Sequence, residues 1–224
     1  MHGRRSWPAV LLAAALVLPM TNPAQPQATG QTLRDAVARG DMASLDRLIA
    51  SGAALDATDA AGQTPLLLAV QNDNLEAATR LIEAGANINA QAANRDTPWL
   101  LAGARGRTAM LRLMLPKRPD LSIRNRFGGN ALIPACERAH VDTVAFLVTT
   151  GIDVDHVNNL GWTCLLEIVI LGDGGPRHVA VTRLVLGAGA NPNIADRDGV
   201  TPLQHARRRA QHEVAALIEA AGGR

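Results

Sequence analysis

Beyond its first 28 residues, this chain has seven side chains of the types that do nucleophilic, acid–base or metal chemistry most readily. They are Cys136, Cys164, His140, His156, His178, His205 and His212. No pair among them has the short, regular spacing that lets one turn or one helix face present two ligands to a metal ion. No glycine-rich phosphate loop follows a strand-like run, and no Gly-x-Ser-x-Gly nucleophile turn occurs. Asp153 and Asp155 lie at the edge of a polar loop, where solvated acids are ordinary. The stretch from Gly172 to His178 gathers Asp173, Arg177 and His178, but its glycines make a poor platform for positioned chemistry. The residues therefore point away from an enzyme, and no cofactor, metal site or small-molecule substrate is expected.

The elements that would position these groups begin after a distinct N-terminal segment. Arg4 and Arg5 precede an uncharged apolar run from Val10 to Leu18, which Pro19 breaks before a polar stretch to Thr29. This is the layout of a cleavable signal peptide, and the run is shorter than the ~20 residues that span a bilayer. The expected organisation is residues 1–28 as signal peptide and polar spacer, and 29–224 as one folded domain. The mature protein would be periplasmic, with secretion as the alternative. Removing residues 1–28 removes Arg4 and Arg5 and no acid, so the formal charge falls from +2 to zero. A neutral domain argues against nucleic acid as the partner, despite the Arg207-Arg208-Arg209 run. Tyr is absent and Leu, Ala, Val and Ile must build the core, which suits packed helices better than a sandwich. The basic residues are 21 Arg and the single Lys117, a bias that fits a GC-rich bacterial genome.

From residue 31 the chain repeats itself. Units start near Gln31, Thr64, Thr97, Asn130, Thr163 and Thr201, at spacings of 33, 33, 33, 33 and 38. In the second unit Thr64 can cap a first helix and Pro65 can occupy its first position, where no N–H is needed. Leu66, Ala69 and Val70 follow on one face. Asp73-Asn74 breaks this helix and starts a second, in which Leu81 and Ile82 face inward. Gly85 closes it in the left-handed conformation. A unit of this size, below ~40 residues, cannot bury enough surface alone and must stack on its neighbours.

The order Gly62-Gln63-Thr64-Pro65-Leu66 with Gly85-Ala86-Asn87-Ile88-Asn89 resembles the ankyrin repeat. Gly189-Ala190-Asn191-Pro192-Asn193 and Gly199-Val200-Thr201-Pro202-Leu203 match equally well. The resemblance covers residues 31–222. It implies an all-α fold: an ankyrin-repeat solenoid of six helix-pair units with short β-hairpin-like loops. Three units depart from the pattern. The third has Arg118 in place of its closing glycine, flanked by Pro116 and Pro119, so its second helix should end early. The fourth carries Pro134 inside its first helix. The fifth has Cys164 in place of proline and a five-residue insertion that lengthens its inter-helix turn. Cys136 and Cys164 occupy different positions of adjacent first helices. That axial offset predicts two unpaired thiols. His140 falls where ankyrin units place a histidine that hydrogen-bonds within the stack.

The resemblance also implies function: binding of another protein, by a monomer, through hairpin tips and the exposed side of the first helices. Aligned on this sequence, those positions are Arg124, Arg126, Phe127, Glu137 and Arg138 in the fourth unit. The fifth contributes Asn159, Leu160, Trp162, Ile170 and Leu171. Arg105, Arg197, Asp198 and Arg208 flank them, with Gln71, Asn72, Asp96 and Arg209 further out. Apolar residues ringed by arginine fit a binding hot spot with a polar rim. Phe127 and Trp162 are expected to be exposed. Ile170 and Leu171 have two readings, outward or tucked beneath the insertion. Similar exported bacterial proteins suggest two roles: neutralising a periplasm-acting toxin, or supporting oxidative-stress enzymes such as catalase. A secreted effector acting on host proteins is the third.

Overall fold

The computed structural model describes the backbone of residues 26–224 and the side chains of 33–224. Residues 1–25, with the expected signal peptide, lie outside the described part. Twelve α-helices follow in six pairs: α1 Pro26–Arg39 and α2 Met42–Ala50; α3 Pro65–Gln71 and α4 Leu75–Glu83; α5 Pro98–Ala104 and α6 Thr108–Met114; α7 Leu132–Glu137 and α8 Val141–Leu147; α9 Cys164–Leu171 and α10 Pro176–Gly187; α11 Pro202–Arg208 and α12 His212–Ala220. Odd-numbered helices pack on odd-numbered neighbours and even on even, so the stack has two helical layers. The core lies between and within these layers. Leu66, Ala69, Val70 and Leu81 of the second unit are wholly buried, and the same kinds of residue recur in each unit.

Local chemistry explains each helix start. The Thr64, Thr97 and Thr163 hydroxyls accept from the amides of Leu67, Leu100 and Leu166, satisfying N–H groups that have no partner within the helix. Thr201 does the same for Gln204, whose side chain returns the bond to the Thr201 amide as a capping box. In the fourth unit the Asn130 carboxamide accepts from both Leu132 and Ile133. That helix starts one position later than its counterparts. Pro134 therefore sits in the first turn, where its missing N–H breaks no bond.

The closing glycine Gly85 has φ 99°, in the left-handed region as its position requires. In the third unit α6 is two residues shorter than α4 and ends in a short 3-10 turn, Leu115–Lys117. Arg118 takes the left-handed place at φ 56°. The fifth unit's insertion behaves differently from the expected longer turn. Beside the second unit, the connection between helices grows by a single residue; α9 gains one residue and α10 gains three. Most of the insertion continues helices that were already nucleated, and extension adds one hydrogen bond per residue fixed.

The loops between units turn back on themselves through paired backbone hydrogen bonds, and among the described residues they contain no strand. In four of five hairpins one Asx oxygen accepts two amides: Asp59, Asn125, Asn158 and Asp196 each grip the residues two and four places on. Adjacent hairpins are tied by Ala93 N–H to Ala61 O at 3.0 Å and Asn159 N–H to Phe127 O at 2.8 Å.

The two cysteines correct the sequence reading: Cys136 and Cys164 form a disulfide, with Cα atoms 5.6 Å apart. Five residues of offset is about 7.5 Å along a helix, which had argued against pairing. The stack absorbs that offset. Adjacent first helices meet with the later part of one against the start of the next. The same register recurs one unit earlier, where a Cβ on Gly103 would lie 2.8 Å from the Ala131 Cβ and 2.6 Å from the Ala131 carbonyl oxygen.

Candidate partner-binding surface

A groove of about 300 Å³ runs between the third and fourth units on the first-helix side. One wall is the end of α5, with Leu101, Ala104 and Arg105. The other is α7, with Pro134, Glu137 and Arg138. The hairpin tips Asn94–Asp96 and Asn125–Phe127 close its ends. Phe127 is 53% exposed, and the Arg126 guanidinium lies 4.6 Å from its ring centroid. This cation–π contact holds the ring on the surface instead of letting it collapse inward. Arg138 donates to the Ala104 carbonyl at 2.6 Å and so pins α7 to α5. Asp96 is half-buried in the groove wall. Burial pushes its carboxyl above the ordinary aspartate value, against the opposing pull of Arg126, Asn94 and Arg105.

The surface continues onto the fifth and sixth units. Leu160 and Leu171 are each half exposed. Asn159, beside Leu160, accepts from the Arg197 guanidinium and ties two hairpins together. Asp198 is exposed at the next hairpin tip and Arg208 on α11. Arg105, Arg126, Phe127, Glu137 and Arg138 thus share one groove, and Asn159, Leu160, Arg197 and Asp198 extend it along the hairpins. Two expected positions differ, and Ile170 takes the inward one of its two readings. Arg124 turns back to donate to the carbonyls of Leu121 and Ile123, and its own carbonyl receives Gln91, so it braces the loop. Trp162 was expected to be exposed but is half-buried and packs against the core, as does Ile170. Leu171, next to Ile170, points outward because a helix turns 100° per residue.

Two buried features escaped the sequence reading. Glu167 on α9 is only 5% exposed and accepts from the Asn158 side chain at 2.8 Å. Its carboxyl is pushed up to about 7, first by burial and then by the nearby Glu137, with Asn158 and Arg138 pulling the other way. The available signal was a charged residue at a position where the second and third units have Leu68 and Leu101. The sixth unit reuses that pairing. His205 holds the same helix position, and its Nε2–H donates to Asp196, the counterpart of Asn158, at 2.7 Å. The second missed feature is the disulfide, one residue away from Glu137 on α7.

His140, His156 and His178 each contact the scaffold. The His140 ring hydrogen-bonds the Ala104 backbone beneath Gly106, whose added Cβ would lie 2.8 Å from the ring; burial lowers its pKa. The His156 Nε2–H donates to Gly128 O at 2.6 Å. His178 lies in the first turn of α10, not in a loop. Its Nδ1 meets Asp173 at 2.7 Å and its Nε2 meets the Glu137 carbonyl at 3.1 Å.

A family model described as "Ankyrin repeats (3 copies)" matches residues 33–125. The structure superposes on an ankyrin repeat domain from Acinetobacter baumannii AYE at TM-score 0.84 and 47% identity. The match covers 86% of this chain and 98% of that one.

The chain belongs to the ankyrin-repeat family.

The ankyrin repeat protein EF0377 is similar at 37% identity and TM-score 0.82, over 85% of this chain and 97% of that one. The ankyrin repeat domain of Bcl-3, a member of the IκB family, matches at 28% identity and TM-score 0.78, over 86% of each chain. A curated relative from Escherichia coli (strain K12), YahD, is named as an ankyrin repeat protein. It is 46% identical over 114 residues, which are 50% of this chain and 57% of that relative. The chain thus spans little more than half of that protein's length. Ankyrin repeats are protein–protein interaction modules, and this ankyrin-repeat chain has the layered, nearest-neighbour architecture on which such interaction rests.

Proposed function

We propose that this protein is a non-catalytic, monomeric binding module of the bacterial periplasm that grips one protein partner. Contact is made through the hairpin tips and first-helix face of the third to fifth units. The observation that carries this reading is Phe127, held open at 53% exposure over an arginine-lined groove, with Leu160 half exposed on the adjoining hairpin. Exposed apolar anchors inside a polar rim are where interface energy concentrates. The apolar run after Arg4-Arg5 supports export, and so does the Cys136–Cys164 disulfide, which persists in oxidising compartments.

The test is affinity capture from periplasmic extract with the mature domain as bait. Phe127→Ala/Leu160→Ala is the expected loss-of-binding variant, losing tenfold or more of partner capture at unchanged helical circular dichroism. Capture by this variant at the unmodified level would reject the surface. Recovery of the tagged full chain from the cytosol with residues 1–28 attached would reject the location.

A further inference from the structure

Formal charge is distributed unevenly along the stack, although the mature chain sums to zero. Residues 33–90 hold eight acids and four bases. Residues 91–152, from the hairpin before the third unit to the loop that closes the fourth, hold nine bases and four acids, and the rest of the fourth unit adds Asp153 and Asp155. Several of those bases serve the scaffold: Arg107 pairs with Asp73, Arg112 covers Phe146, and Arg124 braces its own loop. Arg95 and Arg105 do not, and Arg126 lies over the ring of Phe127 in the groove itself. All three are exposed on the hairpin and first-helix side, and none forms an ion pair among the described residues. Arg105 and Arg126 line the groove beside Phe127.

We propose that the groove between the third and fourth units receives an extended acidic segment of a protein partner, with one apolar side chain seated on Phe127. This rests on the interaction reading above and adds the chemistry of the partner. A guanidinium presents a fork of N–H donors that matches a carboxylate in two parallel bonds, and Arg105 at the end of α5 and Arg126 on the hairpin both line the groove. The groove's own acids, Asp96 and Glu137, do not satisfy them: Asp96 is half-buried with its carboxyl pushed up and makes no ion pair with either arginine, and Glu137 pairs with Arg138. The acidic first two units repel an acidic segment from their end of the stack. The basic third and fourth units draw it in, which sets register as well as attraction.

The experiment uses three fluorescein-labelled 12-residue peptides with a central Leu-Phe pair. Their flanks are Asp/Glu, Asn/Gln or Lys, and binding to the mature protein is read by fluorescence anisotropy at low and at moderate salt. The acidic peptide is expected to bind at least tenfold more tightly than the amide peptide, and the Lys peptide not to bind. Its affinity should fall about tenfold in Arg105→Gln/Arg126→Gln and weaken with salt. It should be unchanged in Arg112→Gln/Arg118→Gln on the second-helix layer. Equal binding of the acidic and amide peptides would overturn the proposal. So would no acidic-peptide binding at millimolar concentration, or equal binding of a single-stranded oligonucleotide. Sedimentation as a dimer that dissociates in Arg105→Gln/Arg126→Gln would also overturn it, assigning the basic units to a second copy's acidic end. The underlying reading fails separately. A captured partner that needs Phe127 and Leu160 but ignores Arg105 and Arg126 leaves the binding surface standing and removes only the acidic segment. A partner indifferent to all four removes the surface.

Discussion

The second and fourth units hold the same helix pair by different means. In the second unit local bonds set the helix ends, and Arg80–Asp46 and Arg107–Asp73 tie it to its neighbours. Thr64 and Asn74 cap the two helices, Pro65 occupies the first helical position, and Gly85 closes the pair in the left-handed conformation. The fourth unit lacks Pro at the start of its first helix, and α7 is one residue shorter than α3. What it lacks locally is supplied across unit boundaries. Arg138 reaches back to Ala104. His156 reaches back to Gly128, Arg177 to Ala139 and His178 to Glu137. The disulfide adds a covalent tie to the fifth unit. A repeat can thus drift from its consensus where neighbours replace the missing local bonds, and the drifted units are the ones that line the groove.

The comparison breaks most visibly at the covalent tie. Cys136→Ser/Cys164→Ser should lower stability by about 3 kcal/mol in urea unfolding, the scale for closing a loop of this length. The loss should be focused on the fourth and fifth units in hydrogen exchange, leaving protection of the second unit intact. Loss spread evenly over all six units would contradict the division between local and cross-unit support.

Gly103 tests the close approach one boundary earlier. At an exposed helical site Gly→Ala adds about 1 kcal/mol of stability. Here the new methyl would stand 2.6 Å from the Ala131 carbonyl oxygen, a backbone atom that cannot step aside. Gly103→Ala should therefore destabilise by about 2 kcal/mol in thermal or urea unfolding, a reversal of the usual sign.

Glu167 separates the units by pH. Its folded pKa, pushed up to about 7, lies above that of an unfolded glutamate. The folded state therefore holds a proton that the unfolded state has lost. The contribution is fully present below about pH 4.5 and disappears as pH rises through about 7. Glu167→Gln keeps an oxygen for Asn158 without the charge. It should flatten that decline and leave the protein about 1–2 kcal/mol more stable than the unmodified chain at pH 8. An unchanged pH profile would place the carboxylate in a more solvated setting than its 5% exposure indicates.

The smallest effect concerns a single turn. Four hairpins place glycine at their left-handed position, Gly62, Gly128, Gly161 and Gly199, whereas the hairpin between the second and third units has Arg95 at φ 64°. Arg95→Gly should raise stability by about 0.5 kcal/mol, because relief of the side chain's strain slightly exceeds the added freedom of the unfolded chain. A change in the same direction at Gly62→Arg would refute that account.

Much of the molecule was legible before any coordinate was known. The 33-residue period placed the six units, because one period is one supersecondary element and every element repeats the same apolar face. Thr64 and Gly85 fixed helix ends through bonds to residues three places away, and Pro65 through a ring that presets its φ. The early end of α6 followed from the same short-range chemistry. Phe127 and Leu160 were also readable as surface apolar residues, since they occupy positions that the stack exposes, whereas Leu171 had two readings.

Tertiary structure decided what depends on the register between neighbouring units, because no residue carries that register in its own local sequence. Stagger between α7 and α9 brought Cys136 to Cys164 across an offset that the linear alignment appeared to forbid. The same packing turned Trp162 and Ile170 toward the core while leaving Leu171 outside, and it buried Glu167 beside Glu137. Local hydrogen bonds and helical periodicity act over one turn, so the chain spells them out. Burial, charge proximity and the disulfide arise between units, and only the assembled stack sets them.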